Sequence, residues 1–240
     1  MTRPSTQPRE EQTFDALRLN ALSDGLFAIV LTLLVLDIRL PEGVGEAASV
    51  AELLNSIIPS LSGYFITFLI AGLYWMLHLR VLESLRAVTS QVLFLNLMLL
   101  LTVGLLPFST GALTDTNALG YPFYCANMIL IGLTQAALWG YASAAGLLTE
   151  EQNEPRHVRM VLGRTLMAPA VFALALALTS LAPTLASYMP FALIPAQFLF
   201  REPRALRRPL PRPRWAAFWR WVGLAPIAFF VLVLLFLRGR

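Results

Sequence analysis

The chain has 240 residues, 57% of them hydrophobic and only 13% charged, with mean hydropathy +0.67 and a net charge of +4. Soluble domains carry roughly a quarter charged residues, so a water-soluble fold is excluded for most of this sequence. Every basic side chain is arginine, and the arginines sit between apolar runs instead of along one face, which makes them topogenic charges and not a nucleic-acid footprint.

Met1 to Gln12 is polar and carries two prolines. The first apolar run starts too late and is too long for a signal-peptide core, so no cleaved leader is expected. Crossing a hydrocarbon layer takes about 20 mostly apolar residues, and in lipid such runs must be helical to pair their own backbone. The chain offers Leu17 to Ile38, Ile57 to Leu79, Val92 to Leu113, Tyr121 to Leu148 and Val161 to Leu181. A turn at Ala182-Pro183-Thr184 leads into a sixth run, interrupted by Pro190 and Pro195 and ending at Phe200. A seventh covers Trp215 to Leu237. The fold class expected is all-α, a polytopic transmembrane helix bundle. Its parts are a tail over 1–16, a six-helix unit over 17–200, a basic Pro/Arg-rich linker over 201–214 and an extra hydrophobic segment over 215–240.

Loop charge orients the bundle. Arg3, Arg9 and Arg18 precede the first run, Arg80 and Arg86 follow the second, and Arg156, Arg159 and Arg164 follow the fourth. Six arginines between Arg201 and Arg214 follow the sixth. The intervening connections carry Glu42, Glu46 and Glu52 against Arg39, or Asp115 alone, or no charge. This alternation predicts a cytoplasmic N-terminus, and the linker suits contact with anionic lipid heads.

Catalytic and metal-binding patterns are missing. The sequence holds no P-loop, GxGxxG or HExxH motif, and its single cysteine, Cys125, rules out an internal disulfide. His78 and His157 are the only histidines, so no enzyme, metal centre or cofactor is expected. The TVGYG carbonyl filter is absent too. What stands out is polarity inside spans, which is expensive in lipid. Arg18, Ser23, Asp24 and Thr32 lie in the first run, Trp75 and His78 in the second, and Asn96 in the third. Arg18 and Asp24, six residues apart, are out of phase and cannot pair on one helix face. Taken singly, these groups read as helix-to-helix hydrogen bonds; taken together, they could brace an ion path or relay protons. Ile29, Thr32 and Leu36 share one face at i, i+3 and i+7, a spacing that by itself means packing or lipid contact, and Val30 and Val35 are expected to face elsewhere.

Arg18-Leu19-Asn20-Ala21-Leu22-Ser23-Asp24, followed by Ala28-Ile29 and Thr32-Leu33-Leu34-Val35-Leu36, resembles the opening helix of the transmembrane protein 175 family of lysosomal-type potassium channels. That family's hallmark is Arg-x-x-x-Phe-Ser-Asp, and Leu22 here replaces the Phe, which keeps a large apolar side chain for packing but removes the ring. Tyr64-x-x-Thr67-Phe68, Trp75-x-x-His78, Asn96-Leu97 and Leu106-Pro107-Phe108-Ser109-Thr110 extend the resemblance to Thr110. It implies a bacterial inner-membrane protein with one six-helix unit per chain, assembling as a homotetramer among membrane lipids around a potassium path lined by the first helix. Carried over by position, Ile29 is the constriction, with Thr32 and Leu36 beyond it. Arg18, Ser23, Asp24, Trp75, His78 and Asn96 form the polar network that holds the helix. The alternative is a proton-coupled transporter using Asp24 and His78.

Overall fold

The computed structural model describes residues 15–38, 50–113, 119–182, 185–186 and 189–193. Helix α1 (Ala16–Leu33) tightens into a 3-10 turn at Leu34–Asp37. Then come α2 (Val50–Glu83), α3 (Ser90–Gly104), α4 (Leu106–Gly111), α5 (Gly120–Ala144) and α6 (Pro155–Leu178), and a second 3-10 turn at Met189–Ala192. Among the described residues, five segments are long and apolar enough to cross a membrane: Ala16–Leu36, Ser60–Glu83, Ser90–Gly111, Gly120–Ala144 and Pro155–Leu178. They coincide with the first five apolar runs, and no strand accompanies them among the described residues. Only Leu185, Ala186 and Met189 to Leu193 of the sixth run are described. The linker and the seventh run lie outside the described residues.

Helix ends depart from the apolar runs for local reasons. The fourth run reaches Leu148, but α5 stops at Ala144 because Gly146 enters the left-handed region at φ 65°. Its N–H bonds to Ser143 at 3.2 Å, and that of Leu147 to Ala142 at 2.9 Å, which satisfies the last carbonyls. The fifth run begins at Val161, yet α6 starts six residues earlier, where Pro155 supplies a ready-made first turn. Hydropathy marks what crosses lipid, while caps decide where winding begins. Asp15 caps α1 by accepting from Leu17 N–H at 2.8 Å. The third run breaks at Leu105, ahead of Pro107, whose missing N–H cannot continue the ladder.

The core has two parts. One gathers Phe27 and Val30 of α1, Ile70 and Tyr74 of α2, Leu99 of α3, Tyr124 and Met128 of α5, and Phe172 of α6. The other lies toward the α2–α3 and α5–α6 connections and includes Leu19, Val81, Val92, Leu138 and Trp139. Those two arginine-bearing connections are bonded to each other, Arg86 N–H to Leu147 at 2.9 Å and Thr149 N–H to Ser84 at 3.0 Å. They therefore lie at the same end of the bundle, as the charge alternation requires.

The α5–α6 contact is the tightest. A Cβ added at Gly132 would sit 2.3 Å from Cγ of Pro169 and 3.0 Å from the Tyr74 hydroxyl. Neither the proline ring nor Tyr74, which donates to the Met128 carbonyl at 3.1 Å, can swing away cheaply. Gly132→Ala should destabilise the bundle by about 1–3 kcal/mol through overpacking. A thermal melt in detergent checks this, with Gly140→Ala, where a Cβ meets nothing within 4 Å, as the neutral comparison.

Candidate functional site

Helix α1 has two unlike faces. Leu19, Ser23, Phe27, Val30 and Leu34 are buried against the other helices. The opposite face is bare within the chain: Ile29 is 57% exposed, Leu36 is 72% exposed, and Thr32 is exposed as well. All three sequence-singled residues are thus exposed within the chain, Ile29 and Thr32 on α1 itself and Leu36 in the turn that follows it. Val35, expected to face away from it, is 46% exposed. The 3-10 turn that begins at Leu34 advances each residue by about 120° instead of 100°, so helical phase cannot be carried past that point. Leu22, expected to pack, is 52% exposed and belongs to the same stripe.

The Thr32 hydroxyl donates to the Ile29 carbonyl at 2.7 Å. Its one proton is spent on the backbone, so the oxygen is available to the stripe as an acceptor only. That polarity suits a cation and does not suit an anion.

Behind the stripe the polar residues are tied across helices. Ser23 Oγ lies 3.4 Å from Asn96 Oδ1, and Asn96 Nδ2 donates back to Ser23 Oγ at 3.2 Å, both side chains being buried. Ser23 also bonds to the Leu19 carbonyl at 3.0 Å. Trp75 Nε1 donates to Asp24 Oδ1 at 2.8 Å, fixing an exposed carboxylate at the edge of α1. His78 pairs at Nδ1 with Gln135 Oε1 at 3.2 Å, and its ring lies 5.9 Å from that of Phe27. Arg18 stands apart at the exposed start of α1, with no ion pair to Asp24 or any other described residue. The structure therefore brings five of the six expected network residues, Ser23, Asp24, Trp75, His78 and Asn96, together where α1, α2 and α3 meet.

Gln135 is the member that sequence reasoning missed. It is wholly buried on α5, far along the chain from His78. A glutamine inside a membrane-length apolar helix was the available signal, by the rule that intramembrane polarity has a partner. Two further pairs follow the same rule, Thr67 with the Tyr124 hydroxyl at 3.1 Å and Asn127 Nδ2 with Ser109 Oγ at 3.0 Å. Among the described residues no group of His, Cys, Asp or Glu could hold a metal ion.

The sequence profile described as endosomal/lysosomal potassium channel TMEM175 matches residues 18–107. That span holds all but the first two residues of α1, the whole of α2 and α3, and the stripe with its braces except Gln135 on α5. A potassium channel of Streptomyces collinus is 32% identical over 137 residues, covering 55% of this chain and 66% of that protein. One of a Chryseobacterium species is 36% identical over 93 residues, covering 39% of this chain and 46% of that one. The aligned part of this chain thus spans between about half and two thirds of the length of these relatives. The fold also matches the crystal structure of a lysosomal potassium-selective channel TMEM175 homolog from Chamaesiphon minutus, with TM-score 0.66 at 24% identity, over 77% of this chain and 96% of that one. Over residues 18–107 the chain carries the sequence profile of the TMEM175 potassium channels, its relatives there are ion channels and not enzymes, and its fold is that of a bacterial channel of this kind.

Proposed function

We propose that this protein is a potassium-permeable cation channel of a bacterial inner membrane, with its N-terminus in the cytoplasm, in which four copies meet around α1. The observation that carries this reading is that Ile29, Thr32 and Leu36 are bare on a membrane-length segment whose Leu19, Ser23, Phe27, Val30 and Leu34 are buried against the other helices. One helix cannot enclose a path, so copies must present the same stripe to a shared axis, and closed cyclic symmetry is the ordinary way to do so. Ile29 rings then narrow the path and Leu36 rings continue it. Thr32 supplies oxygen acceptors between them. A narrow apolar passage selects by making ions shed water. Potassium sheds it more readily than sodium and passes better. The Ser23–Asn96, Asp24–Trp75 and His78–Gln135 pairs hold α1 at a fixed angle and depth. The Asp24 and His78 side chains bond to different partners, which favours bracing over a proton relay between them.

Two measurements on the purified protein test this together. Its mass in mild detergent, corrected for bound detergent, should equal four chains. In planar bilayers under mixed potassium and sodium, the current should be ohmic and reverse nearer the potassium potential. A monomeric or dimeric mass, or saturable flux coupled to proton movement, would sink the channel reading and favour the transporter.

A further inference from the structure

Leu22, Ile29 and Leu36 recur every seventh residue on the exposed stripe of α1. Seven α-helical residues advance a helix by about 10.5 Å with only a small angular drift, so Leu22 lies one level below Ile29 on the same side, while Leu36 follows the change of winding at Leu34. Between the first two stands Gly25, which points within about 40° of Ile29 at 3.6 residues per turn. Gly25 is exposed, and a Cβ built there meets nothing within 4 Å. A large apolar side chain, then none, then another large apolar side chain is the profile of a wall that pinches, opens and pinches again. Asp24, the only acidic residue of α1, sits at the level of the opening, where Trp75 holds its exposed carboxylate in place.

On the channel reading above, we propose that Leu22 forms a second apolar ring and that Gly25, between it and Ile29, opens a chamber for one hydrated monovalent cation, which a tetraalkylammonium ion can replace. The recess is apolar on both sides, as alkyl chains require. The ring of Asp24 carboxylates gives its level a negative potential, which favours a cation over a neutral molecule of the same shape. Arg18, four residues before Leu22 on the same face, opposes cations at the mouth. Its charge acts at the solvent-facing start of α1, where it is screened, whereas Asp24 lies six residues farther along the span. Ile29 then marks the point beyond which the ammonium ion cannot pass, because it cannot shed its alkyl groups as potassium sheds water.

The test is block of the potassium current in planar bilayers by tetraethylammonium and tetrabutylammonium, applied separately to each side. Block should occur from the Leu22 side only and should deepen with voltage driving cations inward from that side. Gly25→Val refills the recess, and block, measured against the variant's own unblocked current, should weaken about tenfold, which is about 1.4 kcal/mol. Leu22→Ala widens the entrance and should speed both onset and recovery of block. A wild-type current that neither ammonium ion blocks overturns the chamber while leaving the channel reading intact. So does Gly25→Val with unchanged block. Loss of the four-chain assembly in Gly25→Val also overturns it, because Gly25 would then be a helix-to-helix contact. Absence of any potassium current in the wild type overturns the channel reading and the chamber together.

Discussion

Ile29→Asn is expected to lower the potassium-to-sodium permeability ratio by about tenfold or more while leaving conduction intact or raising it. The stripe residue is bare within the chain, so the substitution strands no buried neighbour and leaves no cavity. What changes is the surface an ion meets. An aliphatic ring offers a dehydrating ion nothing, so sodium, which holds its water more tightly, is excluded more strongly. An amide ring offers replacement ligands, and a hydrogen bond to a charged partner is worth about 1.5–3 kcal/mol, enough for such a loss of discrimination. Val30→Asn is the contrast. Val30 is the next residue along but is buried in the α1–α2–α3 core. An amide there costs about 1–3 kcal/mol of stability if unpaired, with selectivity unchanged in whatever assembly survives. Reversal potentials in mixed salt and thermal melts read both outcomes. Equal selectivity effects at the two positions, or none at Ile29, would show that the stripe is packing.

A large effect on stability is also expected at the His78–Gln135 pair. Both side chains are buried between α2 and α5, and each already has one nitrogen, Nε2, with no hydrogen-bond partner among the described residues. Gln135→Leu removes the bond at Nδ1 as well, leaving the imidazole unpaired on both sides in an apolar setting. The penalty should be about 1–3 kcal/mol, because the group keeps its desolvation cost and loses what offsets it. His78→Phe should be costly for the mirror-image reason, as it strands the amide. The double variant should recover much of either loss: both polar groups are gone, and a phenyl ring at 78 lies over Phe27, where the imidazole now sits. A double-mutant cycle on melting in detergent isolates the coupling. Additive losses would mean that the two side chains do not depend on each other and that the 3.2 Å contact is incidental.

Sequence alone determined the class of molecule and its approximate layout. Twenty-residue apolar runs can only be helices in lipid, and charge that alternates between connections carries topology, so neither conclusion needs a contact between distant residues. The same holds for the suspicion attached to Ser23, Asp24, His78 and Asn96, since polarity in a span is anomalous wherever its partner lies. Pairing was a different matter. Ser23 meets Asn96 across 73 positions and His78 meets Gln135 across 57, and no local period encodes which of several buried polar groups will face which. Likewise, i, i+3, i+7 spacing placed Ile29, Thr32 and Leu36 on one face but could not say whether that face was covered. Only the packing of α2, α3 and α4 against the other side of α1 decided that it was bare. Leu22 and Val35 show where periodicity stops informing. Leu22 is as apolar as a packed residue, and only the absence of a neighbour distinguishes it. Val35 follows a change from α to 3-10 winding, which rotates every later side chain, where the end of α1 meets α2 and α4.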